Sequence, residues 1–178
     1  MTQYKNYLIE LTGTFMLVFC GTGAMIVDET MNGAVSHPGV AITWGLIVMA
    51  VIYAFGGQSG AHFNPAVTIA FWVNKSFPAK QVLPYIFSQA AGAFLASILL
   101  HFLFPASQFL GASLPAGDAM QSFVLEILLT FFLMLVVLWV ATGSKEQGLF
   151  AGIAIGSVVL LEAMFAGPVC GASMNPAR

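Results

Sequence analysis

Long apolar segments, separated by short polar connections, run along the whole chain. Five of them are close to 20 residues long, which is the length an α-helix needs to cross the hydrocarbon core of a bilayer. They occupy residues 7–27, 38–57, 82–104, 121–141 and 148–167. The pattern therefore predicts five membrane-spanning helices and an all-α integral membrane protein.

A further apolar segment, residues 64–74, is too short to span. It opens with Asn64-Pro65-Ala66, in which Asn can cap a helix while Pro occupies the first helical position. A short helix at membrane depth is tolerated only where it is buried in protein or lines a water-filled cavity. The sequence therefore predicts a re-entrant half-helix over 64–74.

The same tripeptide returns near the end of the sequence as Asn175-Pro176-Ala177. It is expected to begin an equivalent half-helix at 175–178, again after a long apolar segment. Two such helices at matching places are expected to turn their positive N-terminal ends toward one another at membrane depth.

The two tripeptides belong to an internal repeat. Glu10-x-x-x-Thr14-Phe15 is matched by Glu126-x-x-x-Thr130-Phe131, at an offset of 116 residues (126 − 10), and the tripeptides are offset by 111 (175 − 64). Each unit holds three spans and a half-helix, and an odd number of spans makes the second copy enter the membrane from the opposite side. This predicts a first repeat (1–104), an extracellular connection (105–118) and an incomplete second repeat (119–178). The remaining half-helix and last span, about 50 residues judged from the first unit, are expected after residue 178.

Composition agrees with a membrane protein and excludes several functions. Hydrophobic residues make up 59% of the chain and charged residues 7%, whereas a soluble domain carries about 25% charged residues. The five Lys and Arg residues are scattered and form no basic patch for nucleic acid. The sequence shows no metal-ligand cluster, nucleotide loop or nucleophile–base pair. We therefore expect no cofactor, no metal and no enzymatic activity.

Lysine placement predicts the orientation. Lys5 precedes the first span, Lys75 and Lys80 follow the first half-helix, and Lys145 lies between the fourth and fifth spans. The other connections between spans contain neither Lys nor Arg. Because positive residues favour the cytoplasmic side, the sequence predicts a multi-pass protein of the cell membrane with a cytoplasmic N-terminus.

The doubled Asn-Pro-Ala motif, the inverted repeat and the repeated Glu-x-x-x-Thr-Phe together resemble the aquaporin and glycerol-facilitator family. The resemblance covers the whole chain, and Arg178 directly after the second motif makes it specific. It implies six spans and two half-helices around a narrow pore, with four monomers in a homotetramer. It also implies passive conduction of water and small uncharged solutes, including glycerol-like polyols. The chain departs from the pattern in ending before a sixth span.

Under this resemblance, Asn64 and Asn175 each direct a side-chain N–H at one passing water molecule. The water oxygen then accepts two hydrogen bonds and cannot pass a proton along the file, while cations meet the positive helix ends and Arg178. The alternative for each Asn is a plain helix cap.

The resemblance also implies a selectivity constriction formed by Trp44, Ala163, Ala172 and Arg178. Trp44 stands twenty residues before the first motif Asn, and the two alanines precede Arg178 by fifteen and six residues. By the same resemblance, strict water channels have a His at the position of Ala163, which narrows their gate. With Ala at this position, the gate is expected to be wider than in those channels and half apolar. An interfacial role for Trp44 is the alternative.

Substrate choice stays open at this point, because the connection 105–118 is short, whereas glycerol facilitators tend to have a long one there. A non-conducting structural membrane protein, or an inactive channel fragment, is the alternative from a different functional class.

Ionisable side chains inside spans are by default candidate functional residues. The resemblance implies that Glu10 and Glu126 accept hydrogen bonds from the loops that carry the half-helices, a scaffold role favoured over a proton relay. His62 is interpreted as a loop-stabilising residue, with a pH gate as the alternative. Glu162 has no counterpart in the resemblance and is interpreted as a cap for nearby loop N–H groups.

Overall fold

The computed structural model describes residues 2–178, and over that range it is helical with no strand. The helices are α1 (Thr2–Thr30), α2 (Ser36–Ser59), α3 (Pro65–Val73), α4 (Ala79–Leu103), α5 (Ala119–Thr142), α6 (Lys145–Leu149) and α7 (Ala151–Cys170). Among the described residues, α1, α2, α4, α5 and α7 are long and apolar enough to cross a membrane. The predicted all-α membrane fold is confirmed.

The last predicted span differs from the observed helices. A helix was expected over 148–167, but α6 stops at Leu149 and α7 runs from Ala151 to Cys170. Ser144 and Gln147 form a capping box that starts α6, and each side chain accepts a hydrogen bond from the other residue's backbone N–H, at 3.3 and 2.8 Å. The sequence pattern gives no sign of this break, because the residues on both sides of the break are apolar.

Glycines bring the spans into backbone contact. A methyl group on Gly92 of α4 would lie 2.2 Å from the carbonyl oxygen of Leu11 in α1. Between α2 and α7, a methyl group on Gly45 or on Gly156 would lie 2.7 or 2.6 Å from the other residue's carbonyl oxygen. Helices in lipid associate through such close packing of small residues. The pairs α1–α4 and α2–α7 therefore form rigid walls around the centre of the molecule.

A proline inside α7 is compensated by a side chain of α2. Pro168 has no N–H, so the carbonyl of Met164, four residues earlier, has no helical partner. The Nε2 atom of His37 lies 2.6 Å from that carbonyl oxygen and donates to it. The bond joins the start of α2 to the second half of α7, close to the place where the second loop leaves the helix.

Candidate functional site

Two loops meet at the centre of the molecule, one after α2 and one after α7, and they share one backbone conformation. Both helices end at a glycine in the left-handed region, and two further residues of each loop are left-handed. The φ angles are 88° and 84° at Gly60 and Gly171, 52° and 48° at Ala61 and Phe63, and 42° and 46° at Ala172 and Met174. Non-glycine residues in this region cost about 1–3 kcal/mol each, so neighbouring groups must hold both loops in place.

Glu10 holds the first loop. Its carboxylate accepts hydrogen bonds from the backbone N–H groups of His62 at 3.1 Å and Phe63 at 2.8 Å. It also accepts from the Ser59 hydroxyl at 2.7 Å and the Gln89 side-chain amide at 2.8 Å. Glu10 is fully buried. Four donors converging on two oxygens suit an ionised carboxylate, because a protonated acid would turn its own O–H toward donors.

Glu126 holds the second loop in the same way but with fewer donors. Its two oxygens accept from the backbone N–H groups of Ser173 at 2.8 Å and Met174 at 2.9 Å. Where the first loop has the donating Ser59, the second has Cys170, whose thiol instead donates to the carbonyl of Ala166 at 3.4 Å. The two glutamates thus fix loops of opposite repeats at equivalent positions.

A polar network joins His62 to the first half-helix α3. The Thr68 hydroxyl donates to the Asn64 carbonyl at 3.1 Å and accepts from the Gln89 amide at 2.9 Å. Its remaining lone pair faces Nδ1 of His62 at 3.1 Å, so Nδ1 carries the proton and Nε2 is the unprotonated nitrogen of a neutral ring.

Aromatic rings surround the imidazole of His62. The ring stacks on Phe71 with centroids 4.8 Å apart, and Phe77 and Tyr85 approach it at 4.7 and 5.2 Å. His62 lies in the connection between α2 and α3, outside the five spans, and its burial there lowers the pKa of the imidazole to about 4.

Asn64 and Asn175 face each other across the meeting point of the loops. In each, the side-chain oxygen accepts from the backbone N–H two residues further on, that of Ala66 at 2.8 Å and that of Ala177 at 3.0 Å. Each side-chain NH₂ also donates across the centre. Asn64 donates to the Met174 carbonyl at 2.8 Å and Asn175 to the Phe63 carbonyl at 3.0 Å. This reciprocal pairing is the pseudo-twofold relation expected of an inverted repeat.

The segment after Asn175 forms a turn in the described structure. Pro65 and Ala66 begin the nine-residue α3, whereas Pro176 and Ala177 lie in a turn closed by a hydrogen bond from the Arg178 N–H to the Asn175 carbonyl at 3.0 Å. The capping geometry of the two Asn-Pro-Ala motifs is nevertheless the same.

Arg178 and Trp44 lie together. The guanidinium carbon is 4.4 Å from the centroid of the Trp44 ring, within the range of a cation–π interaction. Nη1 donates to the Gly171 carbonyl at 3.0 Å, and Nη2 lies 3.0 Å from the sulfur of Met25. The arginine is therefore fixed by the second loop, by α2 and by α1.

A cavity of ≈ 650 Å³ is lined by side chains of α1, α2, α3, α5 and α7 and by residues of both central loops. Trp44, His62, both motif asparagines and Arg178 line it. Ala163 and Ala172, which were predicted to join the constriction, are buried at 7% and 5% exposure and do not line this cavity. The cavity thus joins five of the predicted site residues along one path.

The interpretation of Glu162 as a loop cap was wrong. Glu162 is 5% exposed, and among residues 2–178 neither of its oxygens has a hydrogen-bond partner. The nearby loop N–H groups of Ser173 and Met174 are taken by Glu126. One carboxylate supplies two acceptor oxygens, which is enough for those donors.

Sequence reasoning missed several residues that hold the site. Gln89 and Thr68 belong to the buried network, and Met25 contacts the arginine. Gln89 carried a usable signal, since an amide inside an otherwise apolar span requires a partner. Met25 carried none, because a methionine in an apolar helix is ordinary.

Comparison with known proteins agrees with this geometry. The model of the major intrinsic protein family matches residues 1–178. Aquaporin NIP1-1 of Oryza sativa subsp. japonica is 48% identical over 175 residues, which is 98% of this chain and 62% of that protein. Nodulin-26 of Glycine max is also 48% identical, over 176 residues, covering 98% of this chain and 65% of that protein.

The aquaglyceroporin from Plasmodium falciparum, known from an X-ray structure, has a similar fold with a TM-score of 0.85 at 27% identity. The match covers 98% of this chain and 77% of that one. The chain spans a little under two thirds of the length of the two plant relatives. Matched along its whole length and folded as that structure is, the chain belongs to the major intrinsic protein family, whose members are channels.

Proposed function

We propose that the protein is a passive transmembrane channel for water and small uncharged solutes, glycerol-like polyols included, and that it excludes protons and ions. The observation that carries this proposal is the pairing of Asn64 with Asn175, both of which line one cavity together with side chains of four spans. A plain helix cap uses only the side-chain oxygen, whereas here both amide nitrogens are also oriented toward the centre.

The donor count supports proton exclusion. Each asparagine NH₂ has two hydrogens, and one of them binds the opposite loop. The second is free to donate to a water molecule in the pathway. A water that accepts from both asparagines has its oxygen lone pairs occupied, so it cannot accept a proton from its neighbour. The N-terminus of α3 adds roughly half a positive charge at the same depth, which repels cations.

The constriction supports passage of solutes larger than water. Trp44 supplies an apolar wall and Arg178 a set of donors, 4.4 Å apart from ring centroid to guanidinium carbon. We propose that Ala163 and Ala172 complete this gate as small residues that leave room for a polyol. No group here replaces the hydration shell of a cation, so ions meet only the cost of dehydration and the positive charge of Arg178.

The lysines support the membrane orientation. We propose that the protein is a multi-pass protein of the cell membrane and that four of its lysines face the cytoplasm. They are Lys5, Lys75, Lys80 and Lys145. We also propose a homotetramer, as the family resemblance implies. Cys20 and Cys170 are first replaced by alanine. Labelling of single cysteines then introduced at position 75 and at the exposed position 117 from each side of the membrane tests the orientation. Light scattering of the detergent-solubilised protein tests the tetramer.

Stopped-flow light scattering on proteoliposomes of the full-length protein tests the function. An osmotic step should shrink the vesicles faster than empty ones, and a glycerol step should be followed by rapid re-swelling. Fast water flow without glycerol entry would reject the proposed wide gate. Rates equal to those of empty vesicles for both solutes would reject the channel and leave a non-conducting structural role.

A further inference from the structure

We propose that α1 forms an additional wall of the constriction, in which Gly21 and Met25 are positioning residues for Trp44 and Arg178. This inference rests on the proposed function, because it concerns the same gate. The two residues are four positions apart in α1 and therefore lie on one face of the helix. One touches the aromatic wall of the gate and the other touches its arginine.

Gly21 is the surface on which the Trp44 indole rests. A methyl group on Gly21 would lie 2.4 Å from three ring atoms of the indole, Cδ2, Cε3 and Cζ3. Ordinary contacts between carbon atoms are about 3.5–4.0 Å, so nothing larger than a hydrogen fits at this position. Trp44 is 6% exposed and lines the cavity, so only a small part of it faces the pathway. The absence of a side chain at Gly21 therefore sets how far the ring retreats from the pathway.

Met25 holds the arginine from the same helix face. Its sulfur lies 3.0 Å from Nη2 of Arg178, while Nη1 is held by the Gly171 carbonyl at 3.0 Å. A thioether is a weak acceptor, so this contact orients the guanidinium without neutralising it. A carboxylate in the same place would cancel the positive charge that excludes cations.

The connection between α4 and α5 fixes Met25 from behind. Gly111 has a φ of 62°, and a methyl group on it would lie 2.7 Å from Cγ2 of Thr22 and 3.4 Å from Cβ of Met25. The loop backbone therefore packs directly onto this part of α1. Met25 is held between the loop and the arginine, which is the arrangement needed for a positioning contact.

A side chain at position 21 must push the indole away from α1 by about 1 Å to reach normal contact distance. The guanidinium of Arg178 lies against the ring at 4.4 Å, so the displaced ring crowds the gate. A three-carbon polyol should lose more from this than a single water. We expect Gly21→Ala to lower the ratio of glycerol to water permeability about tenfold, the effect of a modest increase in one barrier.

Gly23→Ala is the matched control. It is the same substitution on the same helix, but its methyl group would meet only the flexible end of Leu100, at 3.4 Å. Its permeability ratio should equal that of the wild type, because this contact is an ordinary one. Replacing Trp44 by Phe in the Gly21→Ala background makes room for the methyl group and should restore much of the ratio.

Met25→Leu tests the arginine contact and serves as the second variant if Gly21→Ala does not fold. It keeps the side-chain volume and removes the sulfur, so the guanidinium is freed on one side. The glycerol-to-water ratio should then rise about twofold, a small change in barrier. A purely structural role for these residues would alter the amount of folded protein and leave the ratio unchanged.

The experiment measures water and glycerol permeability in proteoliposomes of the full-length protein. It also measures the fluorescence of a version in which Trp72 and Trp139 are replaced by Phe, so that Trp44 is the single tryptophan. Gly21→Ala should shift the Trp44 emission, and Gly23→Ala should not. If the wild type conducts and neither Gly21→Ala nor Met25→Leu changes the ratio, this inference is overturned. If the wild type does not conduct, the proposed function fails, and an unshifted Trp44 emission in Gly21→Ala overturns the positioning role independently.

Discussion

Three glutamates lie within the spans, Glu10 and Glu162 buried and Glu126 partly buried, and replacing each by glutamine measures what holds the two central loops. Glutamine keeps the shape of the side chain but has one acceptor oxygen and one donor NH₂ in place of two acceptors. The effect should follow the number of donors that each carboxylate serves. Among the described residues that number is four for Glu10, two for Glu126 and none for Glu162.

A glutamine at position 10 turns its NH₂ toward two donors, so two of the four hydrogen bonds are lost. Hydrogen bonds to a charged group contribute about 1.5–3 kcal/mol each, so the free energy of unfolding should fall by roughly 3–6 kcal/mol. Glu126→Gln loses one such bond and should cost about half as much. Glu162→Gln loses none and should be neutral or stabilising, because an unpartnered buried carboxyl group is itself unfavourable.

Thermal unfolding in detergent checks this order. One kcal/mol shifts the melting temperature by about 2–4 °C in a chain of this size, so Glu10→Gln should melt roughly 6–24 °C below the wild type. Glu146→Gln, in the exposed connection before α7, is the control and should melt with the wild type. Equal melting temperatures for the variants of Glu10, Glu126 and Glu162 would refute the reasoning. A harmless Glu10→Gln would show that the carboxyl is protonated in the folded protein.

Three further outcomes follow from individual contacts. Burial lowers the pKa of His62 from 6.5 to about 4, so between these pH values the unfolded chain binds more protons. The contribution of the neutral His62 to the free energy of unfolding should be fully present above pH 6.5 and fall toward pH 4, and this fall should be less steep in His62→Gln. Water permeability should be equal at pH 8 and pH 5.5. A permeability step near pH 6.5 would indicate a pH gate. Gly92→Ala should reduce the yield of folded protein, since its methyl group would lie 2.2 Å from a carbonyl oxygen, whereas Gly57→Ala, with nothing within 4 Å, should fold normally. His37→Phe removes the donor to the Met164 carbonyl, a hydrogen bond that is exposed, and should lower the free energy of unfolding by about 0.5–1.5 kcal/mol. This is measurable as a lower melting temperature, and an unchanged value would show that another donor replaces His37.

Much of the architecture can be predicted from the order of residues along the chain. The five spans follow from apolar length, and the half-helix follows from Asn64-Pro65, because a capping residue and a proline act on their own neighbours along the chain. The repeat of Glu10 at Glu126 is also visible as spacing alone. These features depend on interactions within one helix or on its contact with lipid, and both are encoded in consecutive residues.

The contacts around Trp44 and Arg178 were decided by tertiary structure. Gly21 and Met25 look like ordinary residues of an apolar helix, and their contacts with Trp44 and Arg178 join positions more than twenty residues apart in sequence. The unpartnered Glu162 likewise shows that a polar side chain in a span predicts a requirement for a partner but does not identify one. Local propensity and hydrophobic length set where helices begin and end. Which side chains meet at the centre of the molecule depends on how closely backbones approach at glycines, and that distance exists only in the packed molecule.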